Sequence, residues 1–516
     1  MNVYFHTFGC KANQYDTELV RQAFADQGAV LVDDPAAADL AVVNSCTVTA
    51  ESETKLRRFV RGLARRGAKL ETVVMGCAAA LDEGRIAGLP SVRAVVAGAD
   101  PGVVLAAAGM AHARPDPVLR RFHANARGWL KIQDGCDEHC TFCATTIARG
   151  ANRSRPVAEL VQEAQALSAH HAEIVLTGVH IGTYGLDRSS GWTDPGAVPR
   201  GSPRPASGSA APGAVPRGSP RPGSGAADPG AVPRGSPRPG SGAADPGAVP
   251  RGSPRPASGL AAPGAVPRGS PRPGSGSSAP GAVPRGFEGQ GVAPGNPGAW
   301  PRGRSTLGEL LEALIAAVPQ VRFRLSSIEA TEVDDRIARL LIEAPQSLAA
   351  HLHAPLQSGS NRVLKRMGRH WYTAESYGGR LEWLAARLPV FGLGADVIAG
   401  FPGETDADHR ATLALLEALP FTYLHVFPFS VRPDAAAARL SDECSPAVVH
   451  GRARELRELG EAKARAHLES RVGQRADGVV SGHGAGKIEM LTQDYLSVYL
   501  PTAEWDGCPR CEVTVR

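Results

Sequence analysis

No stretch of this sequence is long and apolar enough to cross a membrane, which takes about 20 predominantly apolar residues. The N-terminus, MNVYFHTFGC, also lacks the basic segment and following apolar run of an export signal. We therefore expect a cytoplasmic protein with no membrane partner. In such a protein, nine cysteines favour metal or redox chemistry over a disulfide framework.

Outside one segment, the chain has no excess of positive charge. The formal net charge is +5, but the segment 189–304 holds 13 Arg and no Lys against four acidic residues. The remainder of the chain therefore contains 43 basic and 47 acidic residues. The net charge is thus no evidence for a basic groove on the folded parts of the protein.

That segment is a tandem repeat with a period of 17 residues. Copies of PGAVPRGSPRP or a close variant begin at Pro195, Pro212, Pro229, Pro246, Pro263 and Pro280. Each copy offers little apolar surface among its Pro, Gly, Ser and Arg residues, which predicts an extended, disordered insert. Closing a long loop costs only about 0.6 kcal/mol per doubling of its length. We therefore expect the fold to carry the insert and to survive without it.

The first hundred residues alternate short apolar runs with helical patterns. The runs, each short enough for a buried parallel strand, are Val3–Phe8, Leu40–Asn44, Val73–Gly76 and Val92–Val96. A helix is predicted over Asp16–Gln27, with Gly28 as its stop. This βαβα pattern predicts a doubly wound, open parallel sheet.

Cys10, Cys46 and Cys77 each follow directly on one of the first three predicted strands. Ligands of such sheets bind beyond the carboxyl ends of the strands, so these cysteines should converge on one edge. Each could instead be a small buried apolar residue. Burial does not explain why all three lie at strand ends, and an iron–sulfur cluster is the favoured interpretation.

A second set of cysteines, Cys136, Cys140 and Cys143, has the spacing C-x₃-C-x₂-C. Three thiolates can hold three irons of a four-iron cluster and leave the fourth iron open to a small ligand. This arrangement is typical of radical enzymes that bind S-adenosylmethionine (SAM). A structural zinc site with His139 or a distant residue as fourth ligand is the alternative, but zinc ligands usually come as two separated pairs.

From Gly128 a second βα series begins. Its predicted strands are Trp129–Gln133, Glu173–Gly178, Arg322–Ser326, His351–Leu356, Gly394–Ala399 and Tyr423–Phe427, and its helices include 157–169, 306–317, 333–343 and 407–418. Six such units predict a partial (β/α)₆ barrel. The cysteine triplet falls in the loop after the first strand, at the face where barrel active sites lie.

Short alternating strands from about Arg471 onward predict a small β-barrel at the C-terminus. Such barrels can bind single-stranded nucleic acid by stacking, and Tyr495, Tyr499 and Trp505 are candidates. In the first domain, the helix Glu51–Arg66 carries five arginines off its apolar side. That face is either merely solvated or contacts RNA phosphates.

Four segments of the sequence together resemble those of the radical SAM methylthiotransferase family. They are TFGCKANQYD, VVNSCTVTAES, KIQDGCDEHCTFC and TGVHIGTYG. The resemblance covers nearly the whole chain outside the insert. It implies an N-terminal cluster domain (1–115), a radical SAM barrel (122–440) interrupted by 189–304, a helical linker (441–470) and a C-terminal TRAM-like β-barrel (471–516).

These four segments most resemble those of the branch that modifies N6-threonylcarbamoyladenosine in tRNA, next to the anticodon. The resemblance implies two [4Fe-4S] clusters and two SAM molecules per turnover, one giving a methyl group and one a radical that removes hydrogen from C2 of the adenine. No side-chain acid or base can remove the hydrogen of such an aromatic C–H bond at neutral pH. The alternatives are isopentenyladenosine in tRNA, an aspartate of a ribosomal protein, or a non-catalytic iron–sulfur RNA-binding protein.

By position, the resemblance assigns the radical cluster to Cys136, Cys140 and Cys143 and the auxiliary cluster to Cys10, Cys46 and Cys77. It assigns the SAM pocket to Phe142, Ser326, Glu329, Gln357, Gly400 and Glu404. Partners would be the tRNA anticodon stem-loop and a flavodoxin- or ferredoxin-like electron donor, with the sulfur donor unidentified. Arg149, Arg153 and Arg155 are candidates for the substrate carboxylate. The resemblance does not explain Cys508 and Cys511, which are either incidental or a metal or redox pair.

Overall fold

The computed structural model of this chain describes residues 1–47, 50–66, 69–82, 84–110, 114–123, 126–187, 306–432, 434–484 and 486–516. The predicted repeat insert lies outside these ranges. In the described part of the chain, no helix combines the length and the apolar character that crossing a membrane requires. The described residues fall in one compact unit, so the domain limits drawn from the sequence stay predictions.

The N-terminal part is a five-stranded parallel sheet with the strand order β2-β1-β3-β4-β5. Its elements are β1 (Asn2–Thr7), α1 (Lys11–Asp26), β2 (Val30–Val32), β3 (Leu40–Ser45), α2 (Ala50–Arg66), β4 (Glu71–Gly76), α3 (Cys77–Ala80), β5 (Val92–Ala97) and α4 (Pro101–Ala107). The four predicted strands are present, and the edge strand β2 is additional.

Both faces of this sheet are buried because its apolar side chains alternate along the strands. On β3, Leu40 and Val42 pack with α1 and α4, whereas Ala41 and Val43 pack with α2. Helices on both faces are the mark of a doubly wound sheet, and this part of the predicted α/β fold is confirmed.

Six further parallel strands form the partial barrel. The elements are β6 (Arg127–Lys131), β7 (Gln133–Asp134), α5 (Thr145–Arg149), β8 (Arg153–Ser154), α6 (Val157–Ser168), β9 (Glu173–Thr177), α7 (Leu307–Ala317), β10 (Arg322–Leu325), α8 (Asp335–Glu343), β11 (His351–His353), α9 (Asn361–Arg366), α10 (Ala374–Ala385), β12 (Gly392–Ala399), α11 (Asp406–Ala418) and β13 (Tyr423–Pro428). The ladders run β6-β9-β10 and β11-β12-β13, and single parallel bridges such as Ser327 with His353 connect β10 to β11. The predicted (β/α)₆ arrangement is confirmed.

The C-terminal part follows a long helix, α12 (Pro446–Arg471). Four antiparallel strands, β14 (Arg475–Gly484), β15 (Lys487–Thr492), β16 (Ser497–Pro501) and β17 (Arg510–Thr514), form a sheet in the order β16-β15-β14-β17. An irregular register between Val480 and Gly482 interrupts the pairing of β14 with β15. Bulges of this kind bend a strand and increase its twist. The resulting curled half-barrel fits the small C-terminal β-barrel that the sequence predicts.

A buried ion cluster joins this sheet to the amino-terminal end of the barrel strands. Glu173 accepts hydrogen bonds from Arg127 and Arg322 at 2.7 Å and from Arg324 at 3.0 Å. Burial raises the pKa of Glu173, but the three guanidinium groups outweigh that effect and hold its pKa well below the usual value. Arg322 and Arg324, which are fully buried, also donate hydrogen bonds to backbone carbonyls of β15 and of the turn after it.

Tyr495, in the turn between β15 and β16, lies against the same end of the barrel. Its ring stacks on His351 at 4.4 Å and on Tyr423 at 5.3 Å between centroids. The expectation that Tyr495 could stack on RNA is therefore wrong, because barrel residues already cover its ring. Trp505 is partly buried and donates to the Cys508 carbonyl at 2.8 Å, whereas Tyr499 is exposed.

We predict that Glu173→Gln destabilises the protein by about 3–5 kcal/mol, because it leaves buried arginines without their counter-charge. Thermal unfolding of the anaerobic protein, together with limited proteolysis between α12 and β14, measures this loss. The matched control is Glu71→Gln, which breaks an ion pair whose side chains are 53% and 42% exposed. It should cost less than about 1 kcal/mol. Equal melting temperatures for the two variants would contradict a structural role of the buried cluster.

Candidate active site

The loop of the C-x₃-C-x₂-C motif runs between β7 and β8, which pair with each other. The backbone N–H of Cys136 donates to the carbonyl oxygen of Gly150 at 3.0 Å and closes the base of the loop. Gly135 is needed there, since its φ is +70° and a Cβ would overlap the carbonyl group of Ala151. Backbone contacts therefore fix the loop before any of its cysteines binds a ligand.

Thr141, between the second and third cysteines, ties the loop to the far side of the barrel. Its N–H donates to the carbonyl of Met367 at 2.8 Å, and its hydroxyl donates to that of Arg366 at 3.1 Å. Its own carbonyl accepts from the N–H of Ala437 at 2.7 Å. These bonds place the loop across the carboxyl ends of the barrel strands, as the sequence predicts.

The three thiols of this loop are partly buried and lie near one another. Burial raises the pKa of Cys140 to about 12; Arg369 opposes this, and Cys143, Glu329 and Cys136 reinforce it. The sulfur atoms are thus close enough to influence one another electrostatically. Three neighbouring thiols can serve together as ligands, and metal ions deprotonate coordinating thiols outright. The donor set fits a metal cluster.

Glu329 is the charged group beside Cys140 that the sequence assigned to the SAM pocket. It accepts hydrogen bonds from Arg369 and from the indole of Trp371. Burial raises the pKa of this carboxyl, and the guanidinium of Arg369 opposes that shift. Sequence reasoning missed Arg369 and Trp371, because only the fold brings them next to Glu329.

His180 lies beside Cys136, and one of its ring nitrogens is within 4.8 Å of a carboxylate oxygen of Glu329. Its Nδ1 is 3.7 Å from the sulfur of Cys136, and its Nε2 is 2.7 Å from a carboxylate oxygen of Glu332. Burial lowers the pKa of His180, but Glu332 and then the bond to Cys136 raise it to about 11. The residue falls within the segment TGVHIGTYG, but sequence reasoning assigned it no role.

Three other residues of the predicted pocket lie at the carboxyl ends of barrel strands. Phe142 packs with a buried apolar cluster that includes Ile398. Ser326 follows β10 and is bonded to the Leu176 carbonyl at 3.0 Å through its N–H. Gln357 has a left-handed φ of +64° and exchanges backbone hydrogen bonds with β12. Left-handed backbone is costly for a residue other than glycine and clusters at functional sites.

Gly400 and Glu404 are bonded to each other instead. The N–H of Gly400 donates to the Glu404 carboxylate at 2.7 Å, and Arg452 of α12 donates to that same carboxylate at 2.8 Å. A Cβ at Gly400 would overlap Val449 of α12. These two residues fix the turn after β12 against α12, and their predicted contact with SAM stays a prediction.

The other cysteine triplet lies at the carboxyl edge of the N-terminal sheet. Cys10 immediately precedes α1, so the helix begins five residues earlier than the sequence predicts. Cys46 follows β3, and a Cβ on Gly9 would lie 3.1 Å from its sulfur. Burial raises the pKa of Cys77 to about 11, Arg149 opposes this, and Cys10 and Cys46 add to it. The structure thus brings the predicted triplet together.

Two buried asparagines, which sequence reasoning missed, organise this edge. Asn13 donates to the Asn44 side chain and to the Ser45 carbonyl, both at 2.9 Å, and Asn44 donates back to the Asn13 carbonyl at 2.9 Å. The Oδ1 of Asn13 lies 3.4 Å from the sulfur of Cys10 and 4.0 Å from that of Cys77. In the sequence, the polar Asn44 within the mostly apolar strand segment VVNSC was the feature that could have indicated this pair.

Arg149 joins the two cysteine regions. From the end of α5, just beyond Cys143, its Nε donates to the sulfur of Cys77 at 3.1 Å. Its Nη1 donates to Asp134 at 2.9 Å, and its Nη2 donates to Asp16 and Asn13 at 3.0 Å each. One guanidinium therefore contacts α1, α3 and the strand that leads into the radical-type motif. Both predicted triplets belong to a single site.

This arrangement corrects two predicted substrate contacts. The guanidinium of Arg149 is occupied by protein groups. Arg155 donates to Glu163 at 2.7 Å and to the hydroxyl of Tyr15 at 3.0 Å, so it braces α6 and α1. Arg153 is exposed and donates to the Arg149 carbonyl at 3.0 Å, which leaves it as the accessible member of the three.

Comparison with known proteins adds a sequence relationship to this geometry. A family model described as "Uncharacterized protein family UPF0004" matches residues 2–98. The Bacillus subtilis protein "Threonylcarbamoyladenosine tRNA methylthiotransferase MtaB" is 28% identical, over 90% of this chain and 81% of the relative. Its namesake from Aquifex aeolicus is 25% identical over 96% of each chain. A "tRNA-2-methylthio-N(6)-dimethylallyladenosine synthase" of Acidithiobacillus ferrooxidans is 26% identical over 95% of this chain and 88% of the relative.

Among solved structures, the radical S-adenosylmethionine methyltransferase TsrM from Kitasatospora setae matches with a TM-score of 0.47 and 13% identity. The match covers 84% of this chain and 76% of TsrM. The sequence relatives, together with the two cysteine triplets in one site, confirm the resemblance stated from the sequence words.

Proposed function

We infer that this chain is a radical SAM methylthiotransferase that acts on tRNA, and we propose N6-threonylcarbamoyladenosine as its substrate, with the methylthio group added at C2. The observation that carries the proposal is the convergence of two cysteine triplets on one site, joined by Arg149, in a chain similar over 90% of its length to an enzyme named for this reaction.

Each triplet is suited to one [4Fe-4S] cluster. No disulfide joins any of the nine cysteines, all of which lie within the described residues. Three thiolates leave one iron of each cluster open to a further ligand. With SAM, the two clusters supply the one-electron chemistry and the sulfur that no side chain of this protein could supply.

The chain's own residues position these groups and shield them from water. Thr141 fixes the height of the loop between Cys140 and Cys143, and Phe142 covers it with an apolar ring. Glu329 can receive a cationic ligand group, and Arg369, bonded to it, can receive an anionic one. The amino acid part of SAM carries both kinds of group, so the pair beside Cys140 matches its charges.

An RNA substrate also needs contacts to phosphates. Helix α2 begins shortly after Cys46, and Arg58, Arg61, Arg65 and Arg66 on it are exposed. We propose this surface as the phosphate contact, with the exposed Tyr499 as a stacking candidate. We propose a cytoplasmic location for the reaction with tRNA, and an electron donor of the flavodoxin or ferredoxin type for the reduction of the radical cluster.

The dimethylallyl adenosine of tRNA is the second candidate substrate, since relatives named for that reaction match over a similar share of the chain. The two substrates differ only in the group on N6 of the adenine. Residues of the active site that would meet this group therefore decide between them.

We predict that the anaerobic protein binds about eight irons. Replacing Cys136, Cys140 and Cys143 with Ala should halve the iron content and abolish formation of 5′-deoxyadenosine. Replacing Cys10, Cys46 and Cys77 should also halve it, while SAM cleavage continues and sulfur insertion stops. The control is the pair Cys508→Ala and Cys511→Ala, in the C-terminal sheet, which should keep all the iron. Full iron in the Cys10 triplet variant would refute the second cluster.

The substrate is tested by nucleoside mass spectrometry of tRNA from cells with and without the gene. We expect deletion to remove the 2-methylthio derivative of threonylcarbamoyladenosine and leave the unmethylthiolated nucleoside in its place. Loss of the methylthio group from dimethylallyladenosine instead would identify the second candidate. Unchanged tRNA nucleosides would refute tRNA modification and direct attention to a ribosomal protein or to a non-catalytic role.

A further inference from the structure

The inner face of the barrel carries a histidine–aspartate–histidine cluster that neither cysteine triplet uses. His353 of β11 and His425 of β13 both point a ring nitrogen at the same carboxylate oxygen of Asp396 on β12, at 2.9 and 3.2 Å. Burial raises the pKa of Asp396, but the bonds to the two imidazoles outweigh this and hold its pKa well below the usual value. We call these three residues the inner cluster.

The inner cluster faces the barrel interior because side chains alternate along a strand. The neighbouring residues Leu352, Val397 and Val426 point the other way and join the core beneath the outer helices. The cluster is also reached by solvent, since the side chain of His425 is 55% exposed and that of Asp396 is 24% exposed. The inner cluster is thus open to solvent on the side of His425.

A layer of rings supports the inner cluster from below. The hydroxyl of Tyr423 lies 3.0 Å from the second nitrogen of His353 and 2.9 Å from a nitrogen of His351. Gly394 makes room for the Tyr423 ring, which a Cβ at that position would overlap. The orientation of His353 is therefore fixed from behind, as in sites whose imidazoles must present one nitrogen to a ligand.

The depth of the inner cluster relative to the predicted SAM pocket follows from strand geometry. Asp396 lies two residues before Ile398, which packs with Phe142 next to Cys143. Two residues of a strand span about 7 Å. A group that extends inward from an adenine held at the level of Phe142 would reach the inner cluster.

We propose that the inner cluster forms the pocket for the polar N6 substituent of the substrate adenosine, an amino acid joined through a urea-type linkage. The inference rests on the proposed function and deepens it. The exposed imidazole of His425 meets the carboxylate of the substituent, and Asp396 accepts from its N–H and O–H donors.

This pocket distinguishes the two candidate substrates. A dimethylallyl group would cover the Oδ2 of Asp396 and the Nε2 of His425, which make no hydrogen bond among the described residues, without offering them one. Burying polar atoms without partners is unfavourable. We expect discrimination against the apolar substituent of about tenfold or more. The inner cluster is thus a specificity site that favours the threonylcarbamoyl group.

The test uses the anaerobic holoprotein and three anticodon stem-loops that differ only at the target adenine: threonylcarbamoyl, dimethylallyl and unmodified. Fluorescence anisotropy should show at least about tenfold tighter binding of the threonylcarbamoyl RNA than of the other two. Asp396→Asn, which is nearly isosteric, and His425→Ala should each abolish this preference while affinity for the unmodified RNA and iron content stay the same. His450→Ala, an exposed histidine on α12, is the control and should retain the preference.

A preference that survives both Asp396→Asn and His425→Ala would overturn the proposal. So would one equivalent of non-iron metal in the wild-type protein that His425→Ala removes, because the cluster would then be a metal centre. Failure of the wild-type protein to methylthiolate any of the three RNAs, with the binding preference intact, would refute the proposed reaction and leave the pocket supported.

Discussion

The hydrogen bonds of one guanidinium, that of Arg149, hold the two halves of the candidate active site in register. Asp16 comes from helix α1 of the N-terminal part and Asp134 from β7 of the barrel, and their side chains are only 4% and 24% exposed beside Arg149. Removing one partner from a buried ion pair leaves an uncompensated charge, so such a contact resists sliding or separation. Because Arg149 also donates to Cys77, the auxiliary triplet is held next to the loop of the other triplet.

A second constraint closes the opposite end of the barrel. The arginines around Glu173 bind the C-terminal sheet to the amino-terminal ends of the strands, and Tyr495 enters among the rings below the inner cluster. The barrel interior is consequently a pocket with a floor. Chemistry is confined to the rim with the cysteines, and the floor is left to recognise the part of a substrate that points inward.

Local sequence patterns predicted most of the fold because its strands are short apolar runs and its helices have clear apolar faces. The edge strand β2 was missed because Val30–Val32 is too short to show periodicity. The start of α1 was placed too late because the first turn, KANQ, is polar where it meets the cysteine edge.

Spacing predicted the triplet Cys136, Cys140 and Cys143, and positions at strand ends predicted the other triplet. The residues that connect the two triplets could not be found in this way. Arg149 and Cys77 are far apart in sequence, as are His353 and His425, and their pairing depends on which strands become neighbours. Tyr495 shows that a local pattern can also mislead. An aromatic residue in a β-rich domain suggested RNA stacking, but the docking of that domain against the barrel covers the ring.

The central claim is that two clusters share one site across Arg149, and their magnetic interaction tests it most directly. Electron paramagnetic resonance spectra would be recorded for the reduced wild-type protein and for the two variants that each lack one cysteine triplet. Two neighbouring paramagnetic clusters should give the wild-type protein a broadened or split spectrum that the sum of the two variant spectra does not reproduce. A wild-type spectrum equal to that sum would contradict the account.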